Sequence, residues 1–196
     1  MSWRELNTLL VKEHVGIFKA ANNYDIFDAG SGQKVLECRE PNLGILSKFF
    51  RFTDYKTMTP FEIEIRDANG DLVLTVKRGI SIFLSKVQVF DADNRYIGGF
   101  KQKLFSIGGK FDVLDAEERA VCSLNGNWTG WEFNFIDNSG HKLAEVTKKW
   151  SGLGKELFTS ADNYVLAIKD RVEKESNIRK LILAAVMCID MVLKER

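Results

Sequence analysis

The sequence predicts a mainly β fold in which repeated hairpins close around one apolar helix at the C-terminal end. Three observations lead there: an Asp that recurs behind alternating apolar residues, turn-forming residues directly after each such Asp, and an unbroken apolar run from Leu181 to Ile189.

Five times an alternating run ends in an Asp two residues after an apolar side chain: Ile26 with Asp28, Ile65 with Asp67, Val89 with Asp91, Val113 with Asp115, and Phe135 with Asp137. The last four of these Asp residues fall 24, 24 and 22 positions apart (91−67, 115−91, 137−115), the length of one strand, one turn and one strand. The clearest unit places Phe61, Ile63 and Ile65 on one face by period-two alternation, then Asp67-Ala68-Asn69-Gly70, then Leu72 to Val76. Asn69-Gly70 offers the positive φ that a tight hairpin needs, and short Asp and Asn side chains bond their own backbone in turns. The segments Asp28–Gly32, Asp91–Asn94, Asp115–Glu118 and Asp137–Gly140 carry the same turn chemistry. A meander of short strands protects its edges by closing into a barrel or by folding into a sandwich, and the residues before 170 do not choose between them.

The beat breaks between Asp28 and Asp67, an interval of 39 residues (67−28). That longer excursion, Leu43 to Tyr55, holds Lys48, Phe49, Phe50, Arg51, Phe52 and Tyr55, with Lys56 behind it. Aromatics interleaved with cations read either as a strand with solvated Lys and Arg or as a loop that presses rings into a lipid interface. With only Pro41 and Pro60 present, no Pro-rich linker divides the chain, and residues 1–196 read as a single domain.

Leu181 to Ile189 is the least polar segment, with Ser176 or Asn177 to cap it and residues 170–177 open to a first partial turn. At ~1.5 Å per residue it covers about half of a bilayer core of roughly 30 Å. Extending it through Met191 to Leu193 takes in Asp190, and a carboxylate deep in lipid costs about 3 kcal/mol. A helix apolar on all sides is otherwise buried on all sides, and a ring of hairpins can surround it. The expected central helix is therefore 174–194, with Asp190 facing Lys194 at its end.

The chain has 196 residues, 45% hydrophobic and 28% charged, enough for one sizeable core. A net charge of +1 gives no global reason to expect nucleic acid as a partner. Cys38, Cys122 and Cys188 are odd in number and far apart, which points to a reducing compartment. Met1 to Val11 shows no secretion pattern, and neither a myristoyl nor a prenyl motif is present. The expected location is cytoplasmic, with peripheral contact at the membrane.

Chemistry is sparse. His14 and His141 are the only histidines, and no two cysteines stand at metal-binding spacing. Gly109-Lys110 and Gly154-Lys155 lack the rest of a phosphate loop, no Gly-x-Ser-x-Gly elbow occurs, and nothing in the sequence pairs Cys122 with His141 as nucleophile and base. The expectation is a non-enzymatic protein without a cofactor.

The stretch from Lys149 to Tyr164, KWSGLGKELFTSADNY, and the apolar helix containing Ile189-Asp190 resemble the C-terminal part of the phospholipid scramblase family. Residues 22–32, NNYDIFDAGSG, resemble the opening hairpin of its bacterial members. This resemblance implies the tubby C-terminal-like fold, a closed antiparallel barrel of about twelve strands around a buried hydrophobic helix, shared with phosphoinositide-binding tubby proteins and plant LURP-one-related proteins. The family is associated with calcium-dependent phospholipid movement. Its proposed calcium loop matches Ser160 to Arg171, where this chain has Ser160, Arg171 and Val165 in place of the first and last Asp and the central Gly, and Asp162, Asn163 and Asp170 alone are a poor set for an ion that takes six or more oxygens.

The leading expectation is a scramblase-like barrel that docks on anionic phospholipid or phosphoinositide. The candidate contacts are cations beside aromatics: Lys48, Arg51, Lys56, Lys77, Arg78, Lys148, Lys149 and Lys155. Two alternatives stand beside it: a regulatory or scaffold domain with a protein partner, and a scramblase that moves lipid between leaflets.

Overall fold

Behind each repeat Asp the backbone makes one recurring turn. The Asp67 amide donates to the carbonyl of Asp71 at 2.9 Å and the Gly70 amide to the carbonyl of Asp67 at 3.0 Å, enclosing a three-residue loop. The Asp67 carboxylate accepts from the amides of Asn69 and Asp71 at 2.9 and 3.1 Å, so the side chain satisfies what the turn leaves open. Asp91, Asp115 and Asp137 do the same for the amides two and four residues on, at 2.8 to 3.0 Å. The left-handed position is the last of the loop, held by Gly70, Asn94, Glu118 and Gly140. The expected hairpin is present, but only Gly70 of Asn69-Gly70 has positive φ, because the loop is a type I turn followed by a bulge rather than a two-residue turn. The Asp28 turn is one residue longer, with its amide on the carbonyl of Gln33 and Gly32 left-handed.

The computed structural model describes residues 2–13, 23–41, 60–79, 86–102, 110–127, 130–148 and 163–193, without the side chains of 102, 127 and 190–193. Twelve strands follow in chain order: β1 Thr8–Glu13, β2 Tyr24–Asp28, β3 Lys34–Arg39, β4 Phe61–Asp67, β5 Leu72–Arg78, β6 Lys86–Asp91, β7 Tyr96–Gln102, β8 Phe111–Leu114, β9 Ala120–Asn127, β10 Glu132–Asp137, β11 Lys142–Thr147 and β12 Asn163–Ile168. Each pairs antiparallel with its sequence neighbours, and β1 closes the barrel on β12 with Leu9 opposite Leu166 and Val11 opposite Tyr164.

Alternate residues face inward and meet their partners in rows, such as Leu36 with Ile26 and Ile63 with Val76. The helix α1, Asn177–Leu193, runs inside this wall, and Leu181 through Ile189 are all buried. It begins three residues later than expected. Residues 170–175 make turns, and Ser176 caps the helix by accepting from the Arg179 amide at 3.3 Å. The helix leans on β7, where Gly98 removes a side chain that would meet it: a Cβ there would lie 3.1 Å from Leu181 and 2.1 Å from the Leu114 carbonyl. The predicted Asp190–Lys194 pair lies outside the described side chains.

The two barrel ends differ. Five connections of four or five residues, the Asp turns, share one end with the chain before β1 and the segment between β12 and α1. This turn end is stoppered. Trp3, Leu6 and Val172 join the core, and the buried Arg179 donates to the carbonyls of Leu6 and Val172 and to Asn7 Oδ1. Outside them Lys174 pairs with Glu5, Arg4 with Glu175 at 3.2 Å, and Asn7 donates to Asp170. The remaining connections leave and re-enter the strands at the opposite, loop end.

Candidate functional site

At the loop end two cations sit on aromatic rings. Arg78 closes β5 on the inward face, 3% exposed, with its guanidinium 4.7 Å from the centroid of the Phe61 ring on the paired position of β4. Across the barrel, three strand pairs round from β5 to β11, the Lys148 ammonium lies 3.7 Å from the Trp131 ring centroid and 5.1 Å from that of Tyr164.

The second arrangement is built by neighbouring strands. Trp131 immediately precedes β10 and packs on the core, while Tyr164 is the second residue of β12 and is buried. Their rings stack at 5.3 Å and 28°, and Phe133 meets Trp131 edge-on at 6.2 Å and 83°. Phe133 fits only because β9 presents Gly126 opposite it, where a Cβ would stand 1.8 Å from the ring. Trp131 itself is held at φ 48°, a left-handed conformation rarely adopted by bulky residues.

The sequence-predicted contacts divide as follows. Lys77 stands on the outer wall, paired with Glu62 at 3.1 Å and 5.6 Å from the Phe90 ring. Arg78 is interior, and Lys148 is half-buried at the rim. Lys48, Arg51, Lys56, Lys149, Lys155 and Asp162 lie outside the described residues. Asn163 and Asp170 are not brought together, because Asn163 opens β12 at the loop end and Asp170 follows it at the turn end, where it accepts from Asn7. At ~3.3 Å per residue they stand about 23 Å apart, far beyond what two ligands of one ion at ~2.4 Å can span. Within the stretch matching the calcium loop, Asn163–Ile168 is a barrel strand.

All three cysteines are buried, and burial pushes the Cys122 and Cys188 thiols up to about 12, the latter in spite of the nearby Arg78 charge. Thiols held neutral in this way are poor nucleophiles. His141 is exposed at a turn, 3.3 Å from Asp137, while Cys122 faces the core. A polar cleft of about 650 Å³ lies at the turn end between Trp3-Arg4, the β4–β5 and β6–β7 turns and Lys180. Two of its carboxylates, Asp67 and Asp91, already accept from turn amides.

Trp131 and Tyr164 were not singled out as a pair in the sequence, and no local signal joins them: they lie on strands separated by β11. Arg179 stands with Lys180 just ahead of the apolar run, and the sequence does not tell which of the two cations turns inward.

A Saccharomyces cerevisiae protein named for altered inheritance rate of mitochondria is 24% identical over 179 residues, 76% of this chain and 52% of its own length. A Schizosaccharomyces pombe phospholipid scramblase family protein is 25% identical over 195 residues, 91% of this chain and 51% of its own, and human phospholipid scramblase family member 5 is 20% identical over 97% of this chain and 75% of its own. The chain thus spans about half the length of the two fungal relatives. An X-ray structure of an Arabidopsis thaliana protein with the tubby-like fold matches with a TM-score of 0.55 at 16% identity, covering 94% of this chain and 91% of that one, which places the two in one fold. The Scramblase family model matches residues 6–196, and with it the chain belongs to the scramblase family.

Proposed function

We propose that this chain is a non-enzymatic phospholipid-binding protein that docks on anionic membrane lipid with the loop end of its barrel. What supports the reading is where these residues fall along the chain relative to the strands. Lys77 and Arg78 end β5, Lys148 follows β11, and the remaining expected contacts fall between β3 and β4 or between β11 and β12, strands whose flanking ends all lie at the loop end. A basic residue near an anionic surface contributes about 1 kcal/mol, so cations gathered in these connections would orient a nearly neutral molecule. At the turn end Arg95 and Arg119 are engaged by Asp91 and Asp93 and by Asp115 and Glu117, as Lys77 is by Glu62 on β4. Family membership adds phospholipid as the surface. Arg78 takes part from within, by fixing Phe61.

The test is co-sedimentation with phosphatidylserine-containing vesicles at low salt. Exchanging Lys48, Arg51 and Lys56 together for Gln lowers binding at least tenfold, while exchanging Lys34, Lys142 and Lys169 at the turn end leaves it within about twofold. Absence of wild-type binding, or equal loss in both sets, defeats the proposal. A saturable protein partner without vesicle binding favours a scaffold. Lipid translocation by a departing helix is the other alternative, and among the described residues no helix is long and apolar enough to cross a membrane.

A further inference from the structure

The Trp131–Tyr164 pair already holds a cation, the ammonium of the protein's own Lys148. We propose that this aromatic pair is a seat for a quaternary ammonium and that, with Lys148 displaced onto the adjoining phosphate, it takes a phosphocholine headgroup. The proposal rests on the lipid-docking reading and names one headgroup for it.

The seat is built rather than incidental. Tyr164 is 3% exposed, Trp131 is stacked on it, and Phe133, admitted by Gly126, fixes the indole from its edge. The left-handed backbone at Trp131 is maintained by that packing. Trp131 remains half-buried, so the site is reached from the loop end.

The chemistry selects the ligand. An aromatic face attracts positive charge through its quadrupole but accepts few hydrogen bonds. A primary ammonium such as that of an ethanolamine headgroup therefore gives up water on reaching the ring, whereas a trimethylammonium has no N–H to desolvate. The seat favours the quaternary cation over the primary one. A lysine beside the seat, on a flexible four-carbon stem, suits a zwitterion whose phosphate lies one ethylene unit from the nitrogen. A bare cation would gain nothing from that neighbour.

The experiment uses the full chain. The indole N–H resonance of Trp131, identified by its loss in Trp131→Phe, is followed while phosphocholine or tetramethylammonium is added. In parallel, vesicles of phosphatidylcholine with phosphatidylglycerol are compared with vesicles of phosphatidylethanolamine with the same anionic fraction. Phosphocholine shifts the Trp131 resonance saturably, and the choline vesicles bind about tenfold tighter. Trp131→Leu abolishes that difference. Trp131→Tyr keeps a weaker face and retains part of it, which covers the case of a misfolded Leu variant. Lys148→Gln tightens tetramethylammonium, because the resident competitor is gone, and weakens phosphocholine relative to it. An unmoved Trp131 resonance, or equal binding to both vesicle sets, overturns the seat even where docking on anionic lipid stands. A phosphocholine shift with no binding to either vesicle set leaves the seat standing, as a site for the soluble headgroup, and defeats the docking reading.

Discussion

Arg179, in the first turn of the helix, donates from its buried guanidinium to the carbonyl of Leu6, 173 residues earlier in the chain. One side chain thereby ties the helix to the segment that stoppers the barrel. Burial pulls its pKa below the usual arginine value, with the Glu5 charge opposing. Arg179→Ala is expected to cost about 2 to 4 kcal/mol, from the cavity and from carbonyls left without a donor. Arg179→Met keeps most of the volume and costs about 1 to 2 kcal/mol. Urea midpoints at unchanged slope measure both. A Met variant as stable as the wild type would show that the charge is replaceable, as some buried ions are.

Gly126 and Phe133 are a close-packed pair across β9 and β10. Gly126→Ala drives a methyl into the ring and is expected to cost about 1 to 3 kcal/mol. Phe133→Leu frees that space, so the double variant is more stable than the sum of the two single losses by about 1 kcal/mol or more. Simple additivity in thermal unfolding would mean that the ring is not what the alanine meets.

The turn carboxylates set the acid limit. Asp28, Asp91, Asp115 and Asp137 all lie below the ordinary 3.8. For Asp28 the hydrogen bond from Ser31 leads, and for Asp137 the bond from the His141 amide; for Asp91 and Asp115 the bonds and charge of Arg95 and Arg119 outweigh desolvation. A folded-state pKa below the unfolded one adds stability that is complete above the unfolded value and is lost as pH falls through the folded value. Urea midpoints are therefore expected to be level above about pH 5 and to fall from about pH 4 downward, with a shallower fall in Asp91→Asn. A midpoint that does not change between pH 5 and pH 2.5 refutes this.

Asp71 stands four residues after its turn Asp, where Arg95, Arg119 and His141 stand in the matching turns. Asp71→Arg supplies the missing partner for Asp67 and is expected to add a few tenths to about 1 kcal/mol, since exposed pairs give little. Destabilisation in a thermal melt, at low or high salt, counts against the equivalence of the turns.

Cys188 reports on the helix. Its thiol is buried and held neutral, so an aromatic disulfide reagent labels it only as the protein unfolds. Docking at the loop end leaves that protection intact when vesicles are added. Fast labelling of Cys188 on vesicles, with Cys38 and Cys122 still protected, would instead mean that the helix has left the barrel.

Much of this architecture is written locally. An Asp followed by Asn, Gly or Glu at the right offsets makes a turn whatever surrounds it, so the five hairpins are legible at Asp28, Asp67, Asp91, Asp115 and Asp137. The burial of Leu181 to Ile189 follows from the absence of any polar face. The strand number came with the family resemblance, because β1 and β12 have no turn Asp to announce them. The site was less legible for a related reason. Trp131, Lys148 and Tyr164 meet only once β10, β11 and β12 are aligned, and the purposes of Gly98 and Gly126 depend on a helix and a ring that sequence neighbours do not reveal. Arg78 was readable as a cation beside the hairpin, but the alternation of β5 turns it inward behind Leu74 and Val76.

The closing pair of strands bears on how the chain is made. Every strand but β1 and β12 finds both its partners next to it in sequence, while β1 must wait for β12. During synthesis the hairpins can therefore form as they leave the ribosome, yet their common inner face stays uncovered until the final strand and the helix have emerged. A truncation before Asn163 would leave an open meander with two unpaired edges and no plug, a species for chaperones to hold rather than a smaller barrel.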